Sequence, residues 1–467
     1  MMKSKLKAMV LILAFVLAIA AGCGPRENVN PGGKYDVDLN PDTQASFTLR
    51  VAVDSSQVET KAMQNVAALL NQTYPNVNVS VEPMGSDVRS YILNCMATND
   101  MPDIFFLNQF DMVMLESMEV ILNLNPYIES ETAAGSFDEN EFVQAYWELG
   151  QKDFSGDQLM IPRSMDRVVC HYNKKIFAAA GVDMSLVRNG WTWDDFETVC
   201  ATLRAYFDAN GMTGPLADSN YSWEAMVNPV FEAYGVEYFD DNGKIVINST
   251  ETENALKFFK KMYDNKYFSG PEGGGADFDG LKGAMAFDSQ PITYHRGRMQ
   301  ENLKLGENIE DYYDVVTCPV FEGKEKIGAG VAGYAVSGDS KHRDYAWQFC
   351  KLILTHEGQN ALADAGLTLP SIRKDMSERS AENHWTVGFD AYNLEAYTYR
   401  NGAVADEQPW DCYTSFFLKV HHMACNNIIS SDLPLLVTNY LSGKSFETCV
   451  AQYTKDVENH IMIAELG

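Results

Sequence analysis

The sequence is poor in basic residues, with 36 lysines and arginines against 64 aspartates and glutamates, and its formal net charge is −28. A chain this acidic is repelled by nucleic acid and by anionic membrane surfaces, so neither is expected as a binding partner. The nine cysteines are widely spaced and include no C-x-x-C pair, which gives no sign of a zinc or thiol-redox motif. We expect most of them to be buried free thiols, although an even number after export would permit disulfides.

Catalytic signatures are also absent from the sequence. It contains no G-x-S-x-G, P-loop, H-E-x-x-H or Rossmann glycine motif. Asp277 and Asp279 supply too few oxygen ligands for a calcium loop. We therefore predict no catalytic residues, no cofactor and no metal site. The alternative of a carboxylate pair that hydrolyses glycosides stays open, because the two residues of such a pair can be far apart in the sequence and adjacent only in the fold.

The first residues are typical of an export signal. Lys3, Lys5 and Lys7 precede the apolar run Ala8–Ala21, which ends in small residues suited to cleavage. The run is shorter than the roughly 20 residues that a membrane-spanning helix needs. We therefore predict that residues 1–22 are a signal peptide.

The segment "IAAGC" resembles a bacterial lipoprotein signal, in which cleavage leaves a lipid-modified cysteine, here Cys23, as the new N-terminus. The alternative is an ordinary secretory signal. Residues 23–45 are rich in Pro, Gly, Asn and Asp and lack periodicity, which is typical of a flexible tether. The expected location is the outer face of a bacterial cell membrane.

Two candidate strands near the start of the fold end in polar residues. The pattern strand, helix, strand, helix, strand over "SFTLRVAVDSS" to "DIFFLN" predicts a βαβαβ unit with a parallel sheet. Asp54 and Ser55 follow the first strand, and Asn108 and Gln109 follow the third. Ligands of such sheets bind beyond the carboxyl ends of the strands, so these side chains are candidate ligand contacts. The alternative for the two amides is that they cap the following helix.

At 467 residues the chain is too long for one ordinary core, so we expect two lobes. Further along, the buried-strand pattern "GAMAFDSQ" ends at Asp288 and Gln290. Thr192, followed three residues later by Asp195, predicts a helix start with a capping box. The predicted fold class is thus α/β.

Four stretches together resemble the carbohydrate-binding family of extracellular solute-binding proteins of bacterial ABC importers, which includes maltodextrin-binding proteins. They are "NDMPDIFFLNQFDMVMLESMEVILNLNPYI", "LMIPRSMDRVVCHYNKKIFAAAGVD…GWTWDDF", "GAMAFDSQPITY" and "GVAGYAVSGDSKHRDYAWQFCKLILTHEGQNALADAGLTLPSIRK". In order, they span most of residues 46–375.

The resemblance implies a periplasmic-binding-protein-like fold of two α/β lobes, with interlaced chain crossings and a cleft between the lobes. Lobe 1 would comprise residues 46–165 and 320–366, and lobe 2 residues 166–319 and 367–467. A sugar would be held in the cleft by polar groups matched to its hydroxyls and by flat aromatic faces.

The resemblance also implies particular ligand contacts. Asp166 matches a hinge-side acid that contacts sugar hydroxyls, and the alternative for it is a salt bridge with Arg163 or Arg167. The family's tryptophan after the "GAMAF" strand is missing here, so the stacking residue is sought elsewhere. The full set of expected ligand-binding residues is Asp54, Ser55, Asn108, Gln109, Asp166, Trp223, Asp288, Gln290, Tyr334 and Trp410.

The function expected from these residues and from the resemblance is a lipid-anchored, monomeric receptor for a sugar or oligosaccharide, which works with ABC transporter permease subunits and is not an enzyme. The alternative of an acidic or phosphorylated ligand stays open, because arginine pairs bidentately with such groups and the chain offers Arg163, Arg296 and Arg298. The alternatives are a secreted glycan-active enzyme and a ligand sensor for a membrane kinase.

Overall fold

In a computed structural model of the chain, the residues described are 35–85, 87–151, 156–218, 223–270, 275–399 and 428–466. The strands are β1 (Thr48–Val53), β2 (Asn78–Pro83), β3 (Ile104–Asn108), β4 (Ile161–Pro162), β5 (Asp166–Arg167), β6 (Val169–Asn173), β7 (Ala217–Asp218), β8 (Met285–Asp288), β9 (Tyr313–Thr317), β10 (Ala329–Gly330) and β11 (Ala332–Val336).

The helices alternate with these strands. They are α1 (Gln57–Thr73), α2 (Val88–Thr98), α3 (Gln109–Ser117), α4 (Asn125–Ala134), α5 (Gln144–Trp147), α6 (Lys174–Ala180), α7 (Trp193–Ala209), α8 (Glu224–Tyr234), α9 (Thr250–Asp264), α10 (Ile292–Asn302), α11 (Arg343–Ile353), α12 (His356–Asp364), α13 (Leu433–Leu441) and α14 (Phe446–Leu466). Short 3-10 turns lie between several of them. Within the described ranges, no helix combines the length and the apolar character needed to cross a membrane.

The first sheet has the strand order β2-β1-β3-β11-β4. Its strands β1, β2 and β3 are parallel, which confirms the βαβαβ prediction, whereas β11 pairs antiparallel with β3 and β4. Ile104, Phe105 and Leu107 of β3 are fully buried, because helices cover both faces of the sheet. Ser56 caps α1 by accepting a hydrogen bond from the backbone N–H of Glu59.

The second sheet has the order β7-β8-β6-β9, with β6 antiparallel to both of its neighbours. Helix α7 begins at the predicted place, and Thr192 and Asp195 form the expected capping box. The first sheet lies in one large hydrophobic core, and the second sheet contributes alternate residues to that core and to a second one, as Val169 and Cys170 of β6 illustrate. The α/β two-lobe prediction is therefore confirmed.

Strands β5 and β10 form a short antiparallel ribbon. In the sequence, each of them lies between a strand of one sheet and a strand of the other. The ribbon pairs Asp166 with Gly330. β5 falls between β4 of the first sheet and β6 of the second, and β10 between β9 of the second and β11 of the first. The ribbon therefore consists of two segments that pass from one sheet to the other.

The cysteines of the described ranges are free and buried, as expected for most of them. They are Cys95, Cys170, Cys200, Cys318, Cys350 and Cys449. Burial raises the pKa of the Cys170 and Cys200 thiols well above the usual value, which keeps them in the protonated, unreactive form. Cys412 and Cys425 lie outside the described residues.

Candidate functional site

A pocket of about 210 Å³ opens beside the β5–β10 ribbon and receives residues from both halves of the fold. Three of the residues expected from the sequence line it together, namely Asn108, Asp166 and Trp223. The other lining residues are Val168, Glu224, Ala225, Ser289, Ala329, Gly330, Val331 and Ala332. The pocket thus combines two carboxylates, an amide, a hydroxyl and an indole, which is a set suited to a polyhydroxylated ligand.

Asp166 lies at the start of the ribbon, and its side chain is 19% exposed. Its Oδ1 accepts a hydrogen bond from the Ser164 hydroxyl at 2.9 Å and lies 3.7 Å from Nη1 of Arg163. Burial raises the pKa of this carboxyl, and the nearby Arg163 opposes that effect. Asp166 therefore lies beside Arg163, as the salt-bridge alternative predicted, and also lines the pocket.

Arg163 anchors a buried network behind Asp166. Its Nε forms an ion pair with Oε2 of Glu59 at 3.3 Å, and its Nη1 donates to the Ser164 hydroxyl at 2.6 Å. Tyr334 donates its hydroxyl proton to Oε1 of Glu59 at 2.6 Å. Although burial disfavours the charged guanidinium, Glu59 and Asp166 raise the pKa of Arg163 overall. The network connects helix α1 and strand β11 of the first sheet to the pocket carboxylate.

Asn108 ends β3 and has two roles. Its Oδ1 accepts from the backbone N–H of Asp111 at 2.9 Å, and its Nδ2 donates to Oδ2 of Asp111 at 3.0 Å. It therefore caps α3, as the alternative proposed, and also lines the pocket. Gln109 begins α3, but its side chain is outside the parts of the chain that the structure describes.

Trp223 and Glu224 reach the pocket from the N-terminus of α8. Trp223 occupies the N-cap position, where it makes no side-chain capping bond and is half-buried against the second core. Glu224 follows it, and burial raises the pKa of its carboxyl. Glu224 is not among the residues predicted from the sequence, because its burial at a helix N-terminus is not visible there. A helix N-terminus stabilises a nearby carboxylate, so Glu224 can serve as a hydrogen-bond acceptor.

The segment Ala329 to Ala332, which includes β10, also lines the pocket. Gly328 directly precedes this segment, and a Cβ atom there would overlap the carbonyl oxygen of Ala225 in α8. Glycine is needed at this position because the crossing segment and α8 approach so closely.

Several expected ligand residues lie elsewhere. Tyr334 is fully buried and packs against Phe106 in the first core, so its phenol is not available to a ligand. Tyr334 lies between Gly333 and Ala335 in a glycine-rich strand. Successive side chains of a strand face opposite sides of the sheet, and that of Tyr334 faces the core. Asp54 is occupied in accepting a backbone hydrogen bond from Ser56 at 2.8 Å, and Ser55 is exposed.

The three remaining candidates are not among the described residues that line the pocket. Asp288 ends β8 next to Ser289, but its carboxylate contacts two histidines. The side chain of Gln290 is exposed, and its carbonyl accepts from the Tyr397 hydroxyl at 3.0 Å. Trp410 and the predicted lipidation site Cys23 lie outside the described residues.

The arginines that left an acidic ligand open are engaged within the protein. Arg296 donates from Nε to the Tyr392 hydroxyl at 3.0 Å. Arg298 donates to Oδ2 of Asp279 at 3.2 Å and lies over the ring of Tyr294. Arg163 is held by Glu59, as described above. None of the described lining residues of the pocket carries a positive charge.

The order of strands and the pocket between two sheets define a two-lobed α/β binding protein. Comparison with protein families agrees, because a family model described as "Bacterial extracellular solute-binding protein" matches residues 54–360. The chain therefore belongs to the bacterial extracellular solute-binding proteins.

Among curated relatives, an arabinooligosaccharide-binding protein from Bacillus subtilis is 23% identical over 402 residues, which cover 82% of this chain and 85% of that protein. Among solved structures, an ABC substrate-binding protein from Listeria monocytogenes in complex with cycloalternan has a TM-score of 0.64 and 19% identity, and the match covers 89% of this chain and 99% of that one. UgpB from Mycobacterium tuberculosis, in complex with glycerophosphocholine, has a TM-score of 0.67 and 16% identity, over 91% and 100% of the two chains. The two solved structures share the fold with this protein.

Proposed function

We propose that the protein captures a neutral sugar or oligosaccharide in the pocket beside the β5–β10 ribbon and delivers it to the permease subunits of an ABC importer. The observation that carries this proposal is the lining itself. Asp166 and Glu224 can accept hydrogen bonds from sugar hydroxyls, Asn108 and Ser289 can donate or accept, and Trp223 offers a flat face for a pyranose.

The absence of a cation among the described lining residues favours a neutral ligand over a phosphorylated or acidic one. An anion placed beside Asp166 and Glu224 would face two carboxylates, and the Arg163 guanidinium near Asp166 is already paired with Glu59. Such a position is unfavourable in a partly buried site. The names of the relatives support the same choice, since an arabinooligosaccharide and cycloalternan are carbohydrates. The glycerophosphocholine complex represents the phosphate-bearing alternative.

Ligand binding would be coupled to closure of the two lobes about their crossing segments. Asp166 lies on such a segment, and Trp223 lies on the second lobe, so a ligand that contacts both stabilises the closed form. The permease would then distinguish the closed from the open form. The boundaries proposed for the lobes remain 46–165 with 320–366 and 166–319 with 367–467.

Outside the pocket, the proposal includes attachment to the outer face of the cell membrane by a lipid on Cys23, with residues 23–45 as a tether and the protein acting as a monomer. The sequence carries the argument here, through the signal at residues 1–22. Labelling with a radioactive fatty acid would test it, because a Cys23→Ser variant should lose the label.

A glycan-active enzyme is the second candidate, because the pocket holds two carboxylates whose pKa values are both raised by burial. It predicts new reducing ends on incubation with a bound oligosaccharide, and loss of this activity in Asp166→Asn or Glu224→Gln. The binding proposal predicts that the oligosaccharide is recovered unchanged.

The test of binding is a thermal-shift panel of neutral oligosaccharides, polyols, uronic acids, sugar phosphates and peptides. A ligand at 100 times its dissociation constant stabilises the folded state by about 2.7 kcal/mol, which is readily detected. For a ligand that responds, Asp166→Ala should weaken binding by about 1–3 kcal/mol in calorimetry. A response confined to uronic acids or sugar phosphates would overturn the neutral-ligand proposal, and one confined to peptides would overturn the carbohydrate proposal.

A further inference from the structure

Two histidines and an aspartate from three separate elements meet in the second half of the fold. His171 lies in the middle of β6, Asp288 ends β8, and His295 lies in α10. Nε2 of His171 is 3.0 Å from Oδ1 of Asp288, and Nε2 of His295 is 2.6 Å from Oδ2 of the same carboxylate. One donor atom from each residue lies within 4.8 Å of the others.

The other ring nitrogen of each histidine is held by a second polar group. Nδ1 of His295 is 2.6 Å from Oδ1 of Asp279, and Nδ1 of His171 is 2.7 Å from the hydroxyl of Tyr313. Metal-binding histidines have this arrangement, in which a carboxylate or another acceptor fixes the ring and directs the remaining lone pair at the ion. Both Nε2 atoms here point at one carboxylate.

Tyr313 holds the ring of His171 from the other side. Its hydroxyl lies 2.7 Å from Nδ1 of His171, and its ring stacks on the imidazole with the ring centroids 5.9 Å apart. In the neutral tautomer that carries its proton on Nδ1, His171 presents the lone pair of Nε2 toward the Asp288 carboxylate.

The dimensions and the burial of the cluster suit a transition-metal ion. Bonds of about 2.0–2.2 Å from Zn²⁺ to nitrogen and oxygen place tetrahedral ligands about 3.3 Å apart. The two Nε2 atoms now lie 3.0 Å and 2.6 Å from the Asp288 oxygens, so each would move away from the carboxylate by less than about 1 Å to admit the ion. The His171 side chain is fully buried and that of His295 is 8% exposed, whereas Asp288 is 27% exposed, which leaves a route for the ion. Two imidazoles with one carboxylate are characteristic of zinc and of other first-row divalent ions.

We propose that His171, Asp288 and His295 form a binding site for a divalent first-row transition ion, with Asp279 and Tyr313 as positioning residues. The ion would tie together β6, β8 and α10, and its ligand Asp288 directly precedes Ser289, which lines the ligand pocket. The sequence predicted no metal site because the three ligands are far apart along the chain and form no spaced motif.

The test uses the chelator-treated protein titrated with ZnCl₂ against a chromophoric chelator, with no sugar present, so its outcome is independent of the transport proposal. The wild-type protein should bind one Zn²⁺ per chain. His295→Gln should lose this binding, and Asp279→Asn should weaken it by about 10–100-fold because the ring of His295 is no longer oriented.

A matched control is His384→Gln, which removes an exposed histidine paired with Asp364 at 2.8 Å. This variant should keep the wild-type affinity. Circular dichroism and the thermal midpoint establish that each variant is folded. The proposal is overturned if the wild-type protein binds no stoichiometric Zn²⁺. It is also overturned if His295→Gln still binds Zn²⁺ whereas His384→Gln does not.

X-ray absorption on the zinc-loaded wild-type protein keeps the test decisive if His295→Gln does not fold. The expected spectrum contains two imidazole nitrogens and a carboxylate oxygen. A shell with cysteine sulfur, or one with water oxygens and no imidazole, would place the ion elsewhere and overturn the proposal.

Discussion

Replacing Glu59 by glutamine should destabilise the folded protein by about 3–5 kcal/mol, the usual result of removing one partner of a buried ion pair. The Glu59 side chain is 3% exposed, that of Arg163 is 9% exposed, and Oε2 lies 3.3 Å from Nε. At an effective dielectric constant of about 20, opposite charges at this separation attract by about 5 kcal/mol. The variant keeps the size of the side chain, so the lost charge is the main change.

The hydrogen bond from Tyr334 is weakened by the same substitution. Its hydroxyl donates to Oε1 of Glu59 at 2.6 Å, and a bond to a charged acceptor contributes about 1.5–3 kcal/mol against about 1 kcal/mol for a neutral one. Arg163 would be left with Asp166, whose Oδ1 is 3.7 Å from Nη1. Glu59→Gln should therefore also weaken ligand binding, because Arg163 draws Asp166 away from the pocket.

The assay is urea unfolding followed by tryptophan fluorescence, since Trp147 and Trp347 are buried in the core that adjoins this network. The matched control is Glu82→Gln, which breaks the Arg50–Glu82 pair at 3.0 Å, whose side chains are 27% and 32% exposed. This pair is bidentate but more exposed than the Glu59–Arg163 pair, so its loss should cost less than that of the buried pair. If Glu59→Gln cost no more than Glu82→Gln, the reasoning about the buried pair would be refuted.

Further predictions concern the pocket. Trp223→Ala should weaken carbohydrate binding by about 1.5–3 kcal/mol through lost apolar contact, as measured by calorimetry, and an unchanged affinity would exclude stacking on this ring. Burial raises the pKa values of Asp166 and Glu224 above the ordinary values of 3.8 and 4.5. As the pH is lowered, the affinity for the carbohydrate should therefore begin to decline while the pH is still above those ordinary values. Glu224→Gln should remove part of that pH dependence, and a flat profile in the wild-type protein would contradict the role of these acceptors. Gly328→Ala should destabilise the fold by about 1–3 kcal/mol and reduce the affinity for the ligand, because the added Cβ would press on α8. The control Gly214→Ala has open space around its Cβ and should unfold at the same urea concentration as the wild-type protein.

Local sequence patterns were sufficient for much of the fold. The continuous apolar run and the polar end of "DIFFLN" predicted a buried strand that leads to a ligand crevice, and β3 is that strand. Thr192 and Asp195 predicted the start of α7, because a capping box depends only on residues three apart. Such signals are read correctly from sequence because their physics is local.

The candidate site could be predicted only in part. Asn108 and Asp166 were found because they lie at a strand end and in a family-like segment, and both line the pocket. Glu224 was missed, since its importance depends on burial at a helix N-terminus that sequence does not display. Tyr334 lies in the core instead of the pocket lining, because strand alternation gives two faces and only packing decides which one meets Glu59.

The sequence by itself determined the α/β class, the two-lobe organisation, the strand ends that approach the cleft and the family resemblance, because these follow from hydrophobic period, local capping and ordered motifs. Only the tertiary structure decided which polar residues share a pocket, which arginines are already paired, and that His171, Asp288 and His295 meet. The physical reason is distance along the chain. A carboxylate becomes a ligand contact, an ion-pair partner or a metal ligand according to the groups that folding brings within a few ångströms of it.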